Sequence, residues 1–118
     1  MKDCTVYKTL SIIGKKWTLL VLLELYKGTK DEKHFNELKK RVDGITPKIL
    51  SERLGELEAD GIVRKRVDDS TIPVKCLYSL TDSGFELIEL VQGIKRWGLK
   101  WKFDNEECSM TRCKGCIL

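Results

Sequence analysis

Three cysteines crowd the end of the 118-residue chain: Cys108, Cys113 and Cys116, spaced C-x4-C-x2-C. Cys4 stands near the other end and Cys76 between them, five in all. Thiolates bind soft metals and exchange disulfides. Cys4 with the terminal triplet could supply four thiolates to zinc or an Fe–S cluster, or form a set of redox-sensing thiols. Arg112 and Lys114 flank Cys113 and would favour its thiolate. An unreactive tail is the third reading. Cys76 alternates with Tyr78 and Leu80, a pattern of strand packing. The single histidine, His34, removes most His-based triads and multi-His metal sites, and it lies in a charged loop without visible ligand partners. An oxidoreductase using Cys113-Lys-Gly-Cys116 would need a βαβ surround that the pattern lacks. With no Gly-rich phosphate loop, paired catalytic carboxylates or Ser/His set either, no enzyme is expected.

The other available chemistry is cationic. Arg64, Lys65 and Arg66 form one basic run, Lys75 follows nearby, and Lys39, Lys40 and Arg41 form another. The formal net charge is +4, from 22 basic and 18 acidic residues. That mild excess permits nucleic-acid binding, and the distribution of the charge must decide. The longest apolar run, Leu19 to Leu23, is far short of the roughly 20 residues a membrane span needs. Met1 to Thr9 is polar and mixed, unlike a signal peptide. A cytoplasmic protein with no membrane partner is expected.

These residues must be held by elements, and the periodicity indicates which. Val6, Leu10 and Ile13 share one stripe of a first helix that Gly14 ends. A second helix, about Trp17 to Tyr26, is apolar on most sides and should be the central buried one, with Trp17 as a core anchor. After the charged loop, Asn36 can cap a short helix carrying Leu38 and Val42, with Phe35 packing just ahead. Thr46-Pro47 pairs a capping threonine with proline at the first helical position. Leu50, Leu54 and Leu57 line that helix until Gly61. From Ile62 to Leu80 the period changes to that of two strands with a long tip, Asp68 to Pro73. Thr81 caps a last helix reaching Trp101. The expected fold is mainly α with a small β-ribbon: a winged helix-turn-helix with a long C-terminal dimerisation helix. Residues 1–103 would form it, and 104–118 a cysteine-containing tail.

If Leu50, Leu54 and Leu57 point inward, helical rotation puts Lys48, Glu52, Gly55 and Ala59 opposite them, with Ser51 on the flank. Small and polar side chains make a face that can enter a major groove; an ordinary solvated surface would look the same. The basic strands could straddle a phosphate backbone, or simply be solvated. On the last helix, Leu87, Ile94 and Trp101 fall seven apart, as do Leu90 and Trp97, a heptad-like seam suited to a second copy. Phe85, Ile88 and Val91 form another apolar edge for the chain's own core.

The sequence resembles the HxlR family of winged helix-turn-helix transcription regulators, with MarR-type regulators as more distant cousins. The resemblance rests on Cys4, Ile13-Gly14-Lys15-Lys16-Trp17-Thr18-Leu19-Leu20, Phe35-Asn36-Glu37-Leu38 and Gly44-Ile45-Thr46-Pro47-Lys48-Ile49-Leu50. It continues through Leu54, Leu57-Glu58-Ala59-Asp60-Gly61-Ile62-Val63, Lys65, Pro73, Lys75, Tyr78-Ser79-Leu80-Thr81 and Gly84. It departs at Val74 and Leu77, where the family has proline and glutamate, and in a longer, more charged loop before Phe35. The resemblance implies a homodimer on a pseudo-palindromic operator in double-stranded DNA, often answering a small-molecule or redox effector. Its dimer would be built by the first and last helices.

The candidate residues are then Asn36, Lys39, Thr46, Lys48, Ser51, Glu52, Arg64, Arg66 and Lys75 for DNA. For the dimer they are Val6, Leu10, Leu87, Leu90, Ile94, Trp97 and Trp101. Cys4, Cys108, Cys113 and Cys116 are the redox or metal candidates. A winged-helix module that binds protein, and a metal-responsive regulator using the tail, are the alternatives.

Overall fold

A computed structural model describes residues 1–117; Leu118, the last residue of the tail, lies outside the described residues. The elements run α1 (Thr5–Ile13), α2 (Thr18–Tyr26), β1 (Lys33–His34), α3 (Phe35–Arg41), α4 (Pro47–Ala59), β2 (Val63–Asp68), β3 (Lys75–Leu80) and α5 (Asp82–Trp101). A short α6 (Glu106–Met110) and a 3-10 turn at Cys113–Gly115 complete the tail.

Burial selects α2 as the centre. Val21 and Leu22 are fully buried, and Leu25 nearly so. Around them close Leu38 of α3, Leu50, Leu54 and Leu57 of α4, Val63 and Leu80 of the strands, and Ile88 of α5. Trp17 packs against this core from the position before α2, with its backbone left-handed at φ 81°. Glu24 is also buried in α2, held by Lys27 at 3.1 Å and Arg41 at 3.4 Å.

The helix starts follow local chemistry. Thr46 Oγ1 accepts the Ile49 N–H at 3.2 Å and Pro47 opens α4. Thr81 Oγ1 accepts the Gly84 N–H at 3.4 Å at the head of α5 and donates to the Gly61 or Ile62 carbonyl. Gly84 is required there: a Cβ would lie 2.5 Å from the Ile62 carbonyl oxygen. Gly61, at φ 73°, supplies the left-handed residue after α4 that a side chain would strain.

Three expectations need correction. The sheet has three strands, not two: β1 pairs with β3, giving the antiparallel order β1-β3-β2. Two residues are too few to show an alternation, so Lys33–His34 read as loop. The cap of α3 is His34 rather than Asn36, and Phe35 lies inside the helix. Pairing with β3 holds His34 extended, and Glu37 Oε1 accepts its backbone N–H at 3.3 Å. Finally, Phe85 is 48% exposed and lies outside the core that Ile88 joins. Leu87 packs against that core instead, half-buried.

Candidate nucleic-acid interface

The outward face of α4 carries Lys48, Ser51, Glu52, Gly55 and Ala59, all exposed. The three leucines behind them are at most 1% exposed, so the helix is anchored by one face and presents the other. Asn36 and Lys39 are exposed on α3, and Thr46 is exposed at the start of α4. Beside them β2 and β3 form the wing, in register from Val63↔Leu80 to Asp68↔Lys75. Arg64, Lys65, Arg66 and Lys75 are all exposed on it.

The candidates divide between two grooves beside the wing, with Lys65 lining both. A cleft of about 590 Å3 between α3, α4 and the wing gathers Asn36, Ser51 and Lys75 with Lys40, Lys65 and Tyr78. It is a cationic trough flanking α4, suited to a phosphate backbone. Arg64 and Arg66 instead line a second groove, of about 580 Å3, with Asp31 and Glu32. There Arg66 is already engaged: its Nε and one terminal nitrogen donate to the two Glu32 carboxylate oxygens at 2.9 and 3.0 Å. Arg41, the end of the other basic run, is turned to Glu24. Glu32, the partner of Arg66, has no place in the sequence reading. Its role depends on a two-residue strand that has no signature in the pattern.

Apart from the half-buried Leu87, the seam residues are open apolar side chains on α1 and α5. Val6 and Leu10 of α1, with Leu90, Ile94, Trp97 and Trp101 of α5, are each 46–65% exposed. Apolar side chains left open on this scale mark an interaction face.

The tail folds back on α2. Lys114 Nζ donates to the Tyr26 carbonyl at 2.6 Å, the Gly28 N–H donates to the Lys114 carbonyl at 2.7 Å, and Lys95 Nζ donates to the Thr111 carbonyl at 2.8 Å. Asn105 caps α6 through the Cys108 N–H at 2.9 Å. Cys108, Cys113 and Cys116 line one groove of about 520 Å3, whose apolar wall includes Trp17, Leu20, Val91 and Ile94. Cys113 is buried and Cys4 is exposed ahead of α1. Among the described residues no three His, Cys, Asp or Glu side chains are gathered as a metal ion requires. Cys4 and the tail cysteines are accordingly not gathered into one donor set among the described residues.

Lys33 lies where the tail, β1 and α2 meet. Its ammonium donates to the Glu24 carbonyl at 2.7 Å and the Leu25 carbonyl at 3.0 Å, and also to that of Lys27. Burial, with repulsion from Lys114 behind it, pulls this ammonium below the ordinary lysine value.

A helix pair, a polar exposed recognition face and a basic wing are now in place, and comparison with known proteins decides the family. The family model described as HxlR-like helix-turn-helix matches residues 12–106. The chain belongs to the HxlR-like helix-turn-helix family. Its HxlR-like relatives include an uncharacterised HTH-type transcriptional regulator, BH0655 of Halalkalibacterium halodurans, 42% identical over 101 residues, 85% of this chain and 86% of that protein. Among solved structures, the redox regulator HypR in its oxidised form superposes with a TM-score of 0.72 at 38% identity, covering 85% of this chain and 99% of that one. The reduced form of the transcriptional regulator YodB from B. subtilis has a TM-score of 0.70 at 32% identity, covering 87% and 98%. The HxlR-like chain is thus an HTH-type, DNA-binding transcriptional regulator and not an enzyme. No helix among its described residues is long and apolar enough to cross a membrane.

Proposed function

We propose that the chain acts in the cytoplasm as a homodimer that recognises a pseudo-palindromic operator, and that its thiols tune this binding. Residues 1–103 are read as the DNA-binding and dimerisation unit and 104–118 as its regulatory tail. The observation that carries the reading is the exposed N-terminal half of α4, Thr46, Lys48, Ser51 and Glu52, flanked by the Lys40–Lys65–Lys75 cleft. Polar side chains on α4 have the reach to read base edges in a major groove, while the cleft's ammonium groups hold phosphates. The open apolar stripe on α1 and α5 supports the dimer. Three cysteines on one groove wall, in a relative of the redox regulator HypR, support thiol control.

Binding to a panel of labelled duplexes across a salt series tests the reading. A pseudo-palindromic sequence should be bound far more tightly than others, and its affinity should fall steeply with salt. Weak, sequence-blind and salt-insensitive binding would leave a protein-binding winged helix as the better account.

A further inference from the structure

Of the four basic side chains on the wing, Arg66 alone makes an ion pair within 4.0 Å among the described residues, while Asp68 stands opposite Lys75 across the strands without closing one. The partner of Arg66 comes from across the sheet. Arg66 of β2 faces Leu77 of β3, which faces His34 of β1. Side chains directly opposite each other share a face, and Glu32, two residues before His34, falls on that face too. The Arg66–Glu32 fork therefore bridges β3 from one edge of the sheet to the other. Leu77 lies between, buried yet outside the main core.

The fork uses the donors that matter for DNA. A guanidinium holds a carboxylate or a phosphate through the same pair of parallel N–H groups. Glu32 takes one such fork, Nε–H with one terminal N–H, and sets a full negative charge against the guanidinium, so a phosphate meets a neutralised arginine with only its remaining N–H groups free. Both side chains remain accessible, Arg66 by 53% and Glu32 by 36%, so a phosphate can reach the pair. The Arg66 hydrogen bond also holds the Glu32 carboxyl below its ordinary range.

We propose that Glu32 is an internal competitor for DNA phosphate, occupying Arg66 until the wing meets a duplex and so lowering affinity for every sequence alike. The proposal rests on the DNA-binding reading and deepens it. Glu32 acts through Arg66, as a positioning residue, without touching DNA. Arg64 and Lys75 make no ion pair within 4.0 Å among the described residues, so neither has a forked carboxylate to exchange for a phosphate.

The test is a two-by-two comparison of the full chain: wild type, Glu32→Gln, Arg66→Ala and the double variant. Each is titrated against a labelled mixed-sequence duplex, about two helical turns long, between about 50 and 200 mM salt. Glu32→Gln should tighten binding roughly 2- to 5-fold at the low-salt end, the range of an exposed ion pair. It should also steepen the log–log salt slope by about 0.9, one further phosphate contact. In the Arg66→Ala background the same change should alter neither. An equal gain in both backgrounds would make Glu32 a mere repulsive charge and overturn the proposal. An unchanged or weakened Glu32→Gln protein would overturn it too, provided its melting curve matches wild type. Failure of the wild type to bind any duplex would instead sink the DNA-binding reading, and this one with it.

Discussion

The Lys114 ammonium lies 4.8 Å from the centre of the Tyr26 ring and donates to the Tyr26 carbonyl at 2.6 Å. One lysine of the tail thus both covers a side chain of α2 and caps that helix's C-terminus. A cation suits that end of a helix, where unpaired carbonyls carry partial negative charge. Lys33 takes the neighbouring carbonyls.

Lys114→Ala should therefore loosen the tail at modest cost, about 0.5–1.5 kcal/mol in urea unfolding. Hydrogen exchange at Gly28, whose N–H donates to the Lys114 carbonyl, should accelerate more than exchange in the core of α2. Unchanged protection at Gly28 would mean the tail is held by other contacts.

Thr46→Ala should lower stability by about 0.5–2 kcal/mol, because the Ile49 N–H loses its acceptor at the head of α4. Thr46→Ser should restore most of it. Denaturant titration of the pair separates the cap from the lost methyl group.

Contacts with DNA should differ in kind. Lys48→Ala and Ser51→Ala should change which operator sequence is preferred. Arg64→Ala and Lys75→Ala should weaken all sequences and flatten the salt slope by about one unit each. Selection of bound sequences from a random pool would show the difference, and an unaltered preference in the first pair would assign base reading to another element.

Leu90→Ala with Trp97→Ala should move the protein toward monomer in sedimentation. Each side chain is about half open in the single chain, and covering such a side chain fully is worth about 1.5–3 kcal/mol or more. A dimer of unchanged stability would place the interface elsewhere.

Mild oxidation should change operator affinity by about 5-fold or more, a coupling near 1 kcal/mol. Replacement of Cys108, Cys113 and Cys116 by serine should abolish the change. Equal response in wild type and triple variant would locate any sensor outside the tail.

Much of the fold was legible because its signals are local. Thr46-Pro47 and Thr81 announce helix starts, and the leucine spacing of α4 tells inside from outside. Features set by residues far apart in sequence were not legible. β1 is two residues long, and only the pairing of His34 with Leu77 makes it a strand. The same pairing moves the α3 cap from Asn36 to His34. Phe85 has the spacing of a core residue, but it stays 48% exposed, at the mouth of the groove beside Ser79 and Leu80. The Arg66–Glu32 fork spans 34 positions of sequence, and the Lys114–Tyr26 bond 88. No periodicity reports contacts of that kind.

Burial of Cys113 has a kinetic side. A reagent in solution reaches its sulfur only in the fraction of time that the tail is lifted. The observed rate is then the rate of a free thiol multiplied by that fraction. A closure worth about 2 kcal/mol leaves the tail open roughly one part in thirty. Cys4, exposed in the single chain, reacts without this delay, and the half-covered Cys108 lies between. A short oxidative pulse would therefore mark the front of the chain and spare its buried end, while a sustained one would reach both. Dose and duration become separable quantities, distinguished by how firmly the tail closes over α2.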